Sequence, residues 1–384
     1  MLRCDELGSI TDEPGRLTRT FHSPAMVRAN ALVGSWMQET GLEVHEDAAF
    51  NLIGRWPAAA KSRPRTLLLG SHLDTVRDAG RYDGSLGVLA ALAAVDLLRL
   101  SGVILPFDVE VIGFSDEEGV RYQSTYLGSR ALAGTLRPQD LRVIEEKGIE
   151  KARRRRRDLL AYAEVHIEQG PVLEASRVGL GVVTGIAGQT RVNLEFTGRA
   201  GHAGTTPMTL RRDALCAAAE FILAVENVGL TATVGRIEAQ PGASNVIPAQ
   251  VTLSLDVRHA NDPERRAGVA RLRARALAIA KKRRTPLQWT VVQETNSIAC
   301  DPGLTRIMES AAQAYEPAAP ALASGAGHDA AAMAAICPVT MLFVRCKGGL
   351  SHHPAESVRA ADAAKAIGAL REFILRLADH VLAL

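Results

Sequence analysis

Apolar positions recur at helical spacing from Val27 to Glu39, and Gly41 then stops the pattern as a C-cap glycine does. Two apolar runs follow, Thr66 to Leu69 and Val109 to Phe114, separated by the alanine- and leucine-rich segment Leu86 to Leu100. Strand, helix, strand in that order predicts a parallel sheet covered by helices. In such sheets functional groups gather just beyond the carboxyl ends of strands. The segments Gly70 to Gly84 and Ser115 to Gly119 fall there.

From Arg191 the pattern changes. Strand-like stretches at Arg191 to Phe196, Thr231 to Ile237 and Val251 to Arg258 alternate with helical stretches at Leu210 to Val225 and Asp262 to Lys281. A further strand near Gln288 to Gln293 completes a βαββαβ unit, the ferredoxin-like arrangement. Pro302 to Leu384 then returns to helix and strand segments that rejoin the first sheet. The expected organisation is a discontinuous domain of residues 1–188 and 297–384, interrupted by an inserted domain of residues 189–296.

Length agrees, because 384 residues exceed what one hydrophobic core usually supports. A 47% hydrophobic and 23% charged composition is ordinary for a globular chain, and a net charge of +3 demands no acidic polymer as partner. The five cysteines, Cys4, Cys216, Cys300, Cys337 and Cys346, form no C-x-x-C pair and read as reduced thiols. Met1 to Ile10 lacks an apolar signal core, and no stretch approaches about 18 uncharged apolar residues, so a cytoplasmic protein without membrane contact is expected. Arg153 to Arg157 would suit phosphates, but aromatic residues make up only 4% of the chain and none interleave with the run. A solvated connector is the better reading, and nucleic acid is not an expected partner.

The chemistry gathers in a few short blocks. His72 and Asp74 stand two apart at a strand end, where alternate residues face one side, so one can ligate a metal while the other orients the imidazole. Asp83 follows, flanked by Gly80 and Gly84, whose freedom brings a carboxylate to a crowded point. Asp116, Glu117 and Glu118 close an apolar strand with three consecutive carboxylates, which repel one another unless cations or protons neutralise them. With metals nearby, one of them can ligate while its neighbour takes a proton from activated water. His166 and His352 are each as compatible with a structural histidine as with a ligand; their occurrence in order with the other blocks changes that balance. There is no G-x-S-x-G elbow and no H-E-x-x-H, and the glycines at 179, 181 and 185 miss the dinucleotide-loop spacing by one residue.

Taken together, GSHLDTV (70–76), YDGSLGV (82–88), SDEEGVRY (115–122), GSRALAG (128–134), HIEQGPVLE (166–174), GHAGTTPM (201–208), NVIP (245–248), DVR (256–258), SGAGHDA (324–330) and SHHPAE (351–356) resemble the hydantoinase/carbamoylase amidohydrolases. These are relatives of the aminoacylase and carboxypeptidase G metallopeptidases. The resemblance implies an α/β fold: a mixed-sheet catalytic domain covered by helices, with an inserted ferredoxin-like α+β lid that also forms a homodimer. It implies two divalent cations, of which manganese, zinc, cobalt and nickel all suit the donors. One cation would take His72 and His166, the other Glu118 and His352, with Asp83 between them. Glu117 would be the general base and Asp74 the group orienting His72. Gln169, Asn245, Arg258 and, from the neighbouring subunit, His202 would contact a small ureido acid. His328 and Asp329 would line the site without an assigned role.

The implied activity is cleavage of the ureido C–N bond of N-carbamoyl-L-amino acids. An allantoate or other ureide amidohydrolase, a dipeptidase or aminoacylase, and a non-catalytic binding protein are the alternatives. The chain departs from the family pattern at Phe50, where a glycine usually precedes Asn51, at Ala79, which replaces a loop glycine, and in the basic segment before His166.

Overall fold

A computed structural model of the protein describes residues 1–59, 64–144 and 146–383. Residues 60–63, 145 and 384 of the expected catalytic domain lie outside the described residues. The strands in chain order are β1 (Glu43–Glu46), β2 (Leu52–Trp56), β3 (Thr66–His72), β4 (Asp108–Phe114), β5 (Leu159–Ile167), β6 (Leu180–Ile186), β7 (Gly188–Thr197), β8 (Thr231–Gln240), β9 (Gln250–His259), β10 (Leu287–Thr295), β11 (Ile298–Ala299), β12 (Ala321–Ser324) and β13 (Val339–Val344). The described chain forms two compact units, one of Met1–Thr184 with Cys300–Leu384, the other of Gly185–Ala299. The units meet between Thr184 and Gly185 and between Ala299 and Cys300.

In the first unit the sheet runs β1-β2-β4-β3-β5-β13-β6, with β12 also on β6. The inner pairs β4/β3, β3/β5 and β5/β13 are parallel, whereas β2/β4 and β13/β6 are antiparallel. The sheet is therefore mixed, and the parallel pattern read from the first two apolar runs holds only for its centre. Each residue of β3 and β4 is buried, as expected of strands covered on both faces.

Strand β5 shows how the two faces divide. Ala161, Ala163, Val165 and Ile167 join the main core with helices Ser85–Leu100, Pro302–Gln313 and Ala360–Leu382. Tyr162, Glu164 and His166 point the other way, because side chains alternate along a strand. On that face Glu164 accepts a hydrogen bond from the backbone of Ala330, in the short helix Asp329–Met333.

The second unit is a four-stranded antiparallel sheet in the order β10-β7-β9-β8. Helices Ala214–Glu226 and Asp262–Arg283 pack on one face over Val192, Leu194, Phe196, Leu253, Leu255 and Val257. The order and the two crossover helices are those of the ferredoxin-like unit. The first helix begins at Ala214 rather than Leu210, because the Asp213 carboxylate caps it by accepting from Leu215 N (2.9 Å) and Cys216 N (3.1 Å). Met208–Leu210 instead forms a 3-10 turn. No helix among the described residues is long and apolar enough to cross a membrane.

Candidate metal centre

The central parallel strands β4, β3, β5 and β13 point their carboxyl ends the same way, and the sequence blocks of interest hang from those ends. His72 closes β3, Glu117 and Glu118 follow β4, His166 is next to last in β5, and His352 lies in the loop after β13. Asp83 comes from the loop between β3 and helix Ser85–Leu100, with Gly84 as the helix N-cap. Gly84 has φ +61, and a Cβ there would lie 2.5 Å from atoms of the His72 ring. Only glycine lets this turn close against the imidazole.

Asp83 is the hub. Its Oδ1 is 3.2 Å from His166 Nε2 and 3.8 Å from His72 Nε2, yet takes no hydrogen bond from either. Its Oδ2 is 3.1 Å from His352 Nε2, which in turn is 3.2 Å from Glu118 Oε1. Two donor triads result, His72–Asp83–His166 and Asp83–Glu118–His352, each with its ligand atoms within 4.8 Å of one another. His72 with Glu117 and Glu118, and Glu164 with His166 and His328, form two further groups of this kind. His72, Asp83, Glu117 and His166 are buried and Glu118 is half-buried, whereas the His352 side chain is 48% exposed.

The tautomers suit cation binding. His72 Nδ1 lies 3.0 Å from the main-chain carbonyl of Asp74, and His166 Nδ1 lies 2.9 Å from that of Ile167. A carbonyl oxygen can only accept, so both Nδ1 atoms carry hydrogen and both Nε2 lone pairs can face Asp83. Asp74 thus orients His72 chiefly through its backbone, its Oδ1 being farther, at 3.6 Å. The carboxylate instead accepts from Glu117 N (3.0 Å) and Glu118 N (3.2 Å), which fixes the acidic loop.

The charges suit it as well. Asp74, Asp83, Glu117 and Glu118 are four carboxylates in one cluster, and two divalent cations would match their charge. Without cations the protons redistribute. Burial and the neighbouring Glu118, Asp329, Asp74 and Asp83 push Glu117 well above the usual carboxylate range. Asp83 is held well below that range, because burial, which would raise it, is outweighed by the neighbouring His166, His352 and His72. Burial lowers His166, but Asp83 overrides it and raises the imidazole to about 9. Asp83 and Glu118 raise His352 to about 10.

Further groups hold this arrangement, and the sequence reading gave them no role. Glu164 Oε1 accepts from Ser71 Oγ at 2.8 Å, behind His72. His328 packs edge-on to His166 with ring centroids 4.5 Å apart, and its Nε2 lies 2.7 Å from Ser324 Oγ. Asp329 Oδ1 accepts from Ser129 Oγ at 2.5 Å. The buried Arg19 donates to the carbonyls of Leu73, Leu7 and Ile10 and to Ser85 Oγ, joining the His72 strand to the helix after Asp83. Glu356 accepts from the backbone of Tyr82 and Asp83. The signal for Glu164 was present: Tyr162, Glu164, His166 and Glu168 alternate with apolar residues along a strand. Arg19 carried none, and Glu356, although it closes the SHHPAE block, acts on backbone groups far away in the chain.

Among the residues expected to touch substrate, Gln169 lies in this cluster and donates from Nε2 to Asp83 Oδ2 (3.0 Å) and Ser351 Oγ (3.1 Å). His202, Asn245 and Arg258 belong to the second unit. There His202 bridges to Val246 and the backbone of Ala203 donates to the carbonyl of Asn245 at 2.9 Å, so the two loops lie side by side. Arg258 near the end of β9 grips both oxygens of Asp256 at 3.1 Å. Of the departures from the family pattern, Phe50 has φ +62, the left-handed conformation that a glycine adopts freely, and its ring stacks on His22 at 4.1 Å. In the basic connector, Arg154 pairs with Glu110 at 3.0 Å, while Arg155, Arg156 and Arg157 are exposed.

A parallel-centred sheet with a His and carboxylate cluster at its carboxyl edge, interrupted by a ferredoxin-like unit, defines a class of metal-binding hydrolases. The chain belongs to the peptidase family M20/M25/M40, whose model matches residues 68–376. It is a hydrolase of carbon–nitrogen bonds. It is 42% identical to an allantoate deiminase of Arabidopsis thaliana, over 97% of this chain and 81% of that protein. It is 39% identical to an N-carbamoyl-L-amino acid amidohydrolase of Geobacillus stearothermophilus, over 98% of this chain and 97% of that one. The crystal structure of an amidase of the hydantoinase/carbamoylase family from Burkholderia multivorans superposes with a TM-score of 0.91 at 30% identity, over 98% of this chain and 96% of that chain.

Proposed function

We propose that the chain hydrolyses the ureido C–N bond of a small ureido acid, with N-carbamoyl-L-amino acids as the first reading, giving amino acid, ammonia and carbon dioxide. The observation that carries this is the pair of donor triads sharing Asp83, with Glu117 in the same cluster. Two divalent cations, held by His72 and His166 on one side of Asp83 and by Glu118 and His352 on the other, would acidify the attacking water and polarise the ureido carbonyl.

Glu117 takes the proton of the attacking water and returns it to the leaving nitrogen. Asp74 keeps Glu117 in place through the backbone of the acidic loop. His202 donates to the oxyanion that develops on the ureido oxygen. Gln169 and Asn245 bind the polar edges of the substrate, and Arg258 holds its carboxylate with two parallel hydrogen bonds. The family resemblance further supports a homodimer in which His202 serves the site of the neighbouring subunit. Five free cysteines suit a reducing cytoplasm.

A second reading is allantoate as substrate, favoured by the 42% identity to the plant allantoate deiminase. Both substrates present a ureido group and a carboxylate, so both use the same donors. Ammonia release by the purified chain decides between them, measured after chelator treatment and resupply of manganese against a panel of N-carbamoyl-L-amino acids and allantoate. Metal-dependent release from a carbamoyl amino acid is the expected result. Preference for allantoate establishes the second reading, and no release from any member by metal-loaded protein refutes both.

A further inference from the structure

We infer that Glu356 is a positioning residue for Asp83, fastening the loop that carries this shared carboxylate to the loop that carries His352. Glu356 Oε1 accepts from Tyr82 N at 2.8 Å and Asp83 N at 3.0 Å, across 274 and 273 residues of chain. Its Oε2 lies 3.2 Å from Ser351 Oγ, and that hydroxyl lies 2.9 Å from Asp83 Oδ2. The grip of Glu356 on the Asp83 backbone is direct, whereas the single hydrogen of the Ser351 hydroxyl goes either to Asp83 Oδ2 or to Glu356 Oε2.

Gln169 also holds the Asp83 side chain, donating to Oδ2 at 3.0 Å, so what Glu356 adds is the grip on the backbone. Removing Glu356 leaves the buried N–H groups of Tyr82 and Asp83 with no other acceptor among the described residues. Asp83 Oδ1 takes no hydrogen bond of its own, so its direction depends on what grips the rest of the residue. The chain also keeps space for the clamp: a Cβ on Gly80 would stand 2.3 Å from Glu356 Cβ and 2.4 Å from its Oε1. Groups of this kind set the orientation of a ligand and tune the affinity of a metal without touching it. The inference rests on the reading of Asp83 as a metal ligand.

The test is calorimetric titration of manganese into the chelator-stripped full chain, for wild type, Glu356→Ala, Glu356→Gln and Gly80→Ala, with melting of the metal-free proteins recorded alongside. Glu356→Ala is expected to weaken manganese binding by about 10–100-fold. Glu356→Gln keeps an oxygen for both N–H groups and is expected to stay within about threefold of wild type. Gly80→Ala displaces the carboxylate without deleting it and should reproduce the alanine result, which keeps the comparison intact if Glu356→Ala does not fold. Unchanged affinity in Glu356→Ala, or equal loss in the glutamine variant, overturns the assignment. A wild-type chain that takes up no manganese removes the metal reading itself, and that result is visible before any variant is compared.

Discussion

Replacing Gly84 with alanine tests the turn that brings Asp83 against His72. At φ +61 and ψ −55 the backbone sits where an L-residue is strained by about 1–3 kcal/mol. The new Cβ would also stand 2.5 Å from His72 Cγ, Cδ2 and Cε1. That ring cannot retreat freely, because it is buried and its Nδ1 is tied to the Asp74 carbonyl. Overpacking of this kind costs about 1–3 kcal/mol, for a combined loss of about 2–6 kcal/mol. With a urea slope of about 3 kcal/mol/M, the unfolding midpoint should fall by about 1 M. Trp36 and Trp56 lie in the first unit and Trp289 in the second, so tryptophan fluorescence in a Trp289→Phe background follows the unit that matters. An unchanged midpoint would refute the reasoning that the turn requires glycine.

Other outcomes follow from the same geometry. Arg19→Met should lower stability by about 1–3 kcal/mol in thermal unfolding, since the buried carbonyl of Leu73 loses its donor while that of Leu7 keeps the N–H of Ile10. In the metal-free protein, His166 at about 9 and His352 at about 10 lie above the ordinary value of 6.5. Their protonation stabilises the fold fully below about pH 6.5, and that contribution is lost as pH rises through 9 to 10. The metal-free melting temperature should therefore fall across this window. Manganese binding at pH 7 should release protons, seen as a dependence of binding heat on buffer ionisation enthalpy. Asp213→Ala should destabilise the second unit by about 1 kcal/mol, read from the Trp289 signal on urea unfolding, through loss of the helix cap.

What could be read from sequence depended on the range of the interaction. The period-2 and period-3.6 patterns of β3, β4, β7, β9 and the helices between them are local, and they give the parallel centre and the ferredoxin-like unit directly. The short strands β1, β2 and β12 carry little pattern, and the places of β2 and β12 come from pairing with β4 and β6, far away in the chain. The antiparallel edges of the first sheet were lost for that reason. In the site, His72, Asp83, Glu117, Glu118, His166 and His352 could be singled out because their blocks are chemically unusual and ordered along the chain. Arg19 could not, and Glu356 was marked by the SHHPAE block without its role, since the work of both is done on backbone groups. Asp74 illustrates the middle case: its neighbourhood to His72 was legible, but its main-chain contact to the imidazole and its carboxylate contact to the acidic loop were not.

The most direct test of the central claim is the turnover of Glu117→Gln beside wild type, on the best ureido acid of the panel, with bound metal counted in both. Two metal ions per chain in each protein and a kcat lower by about 10²–10⁴-fold in the variant is the expected result. A variant that keeps its metal and turns over within about tenfold of wild type would contradict Glu117 as the base, and with it the proposed hydrolytic site.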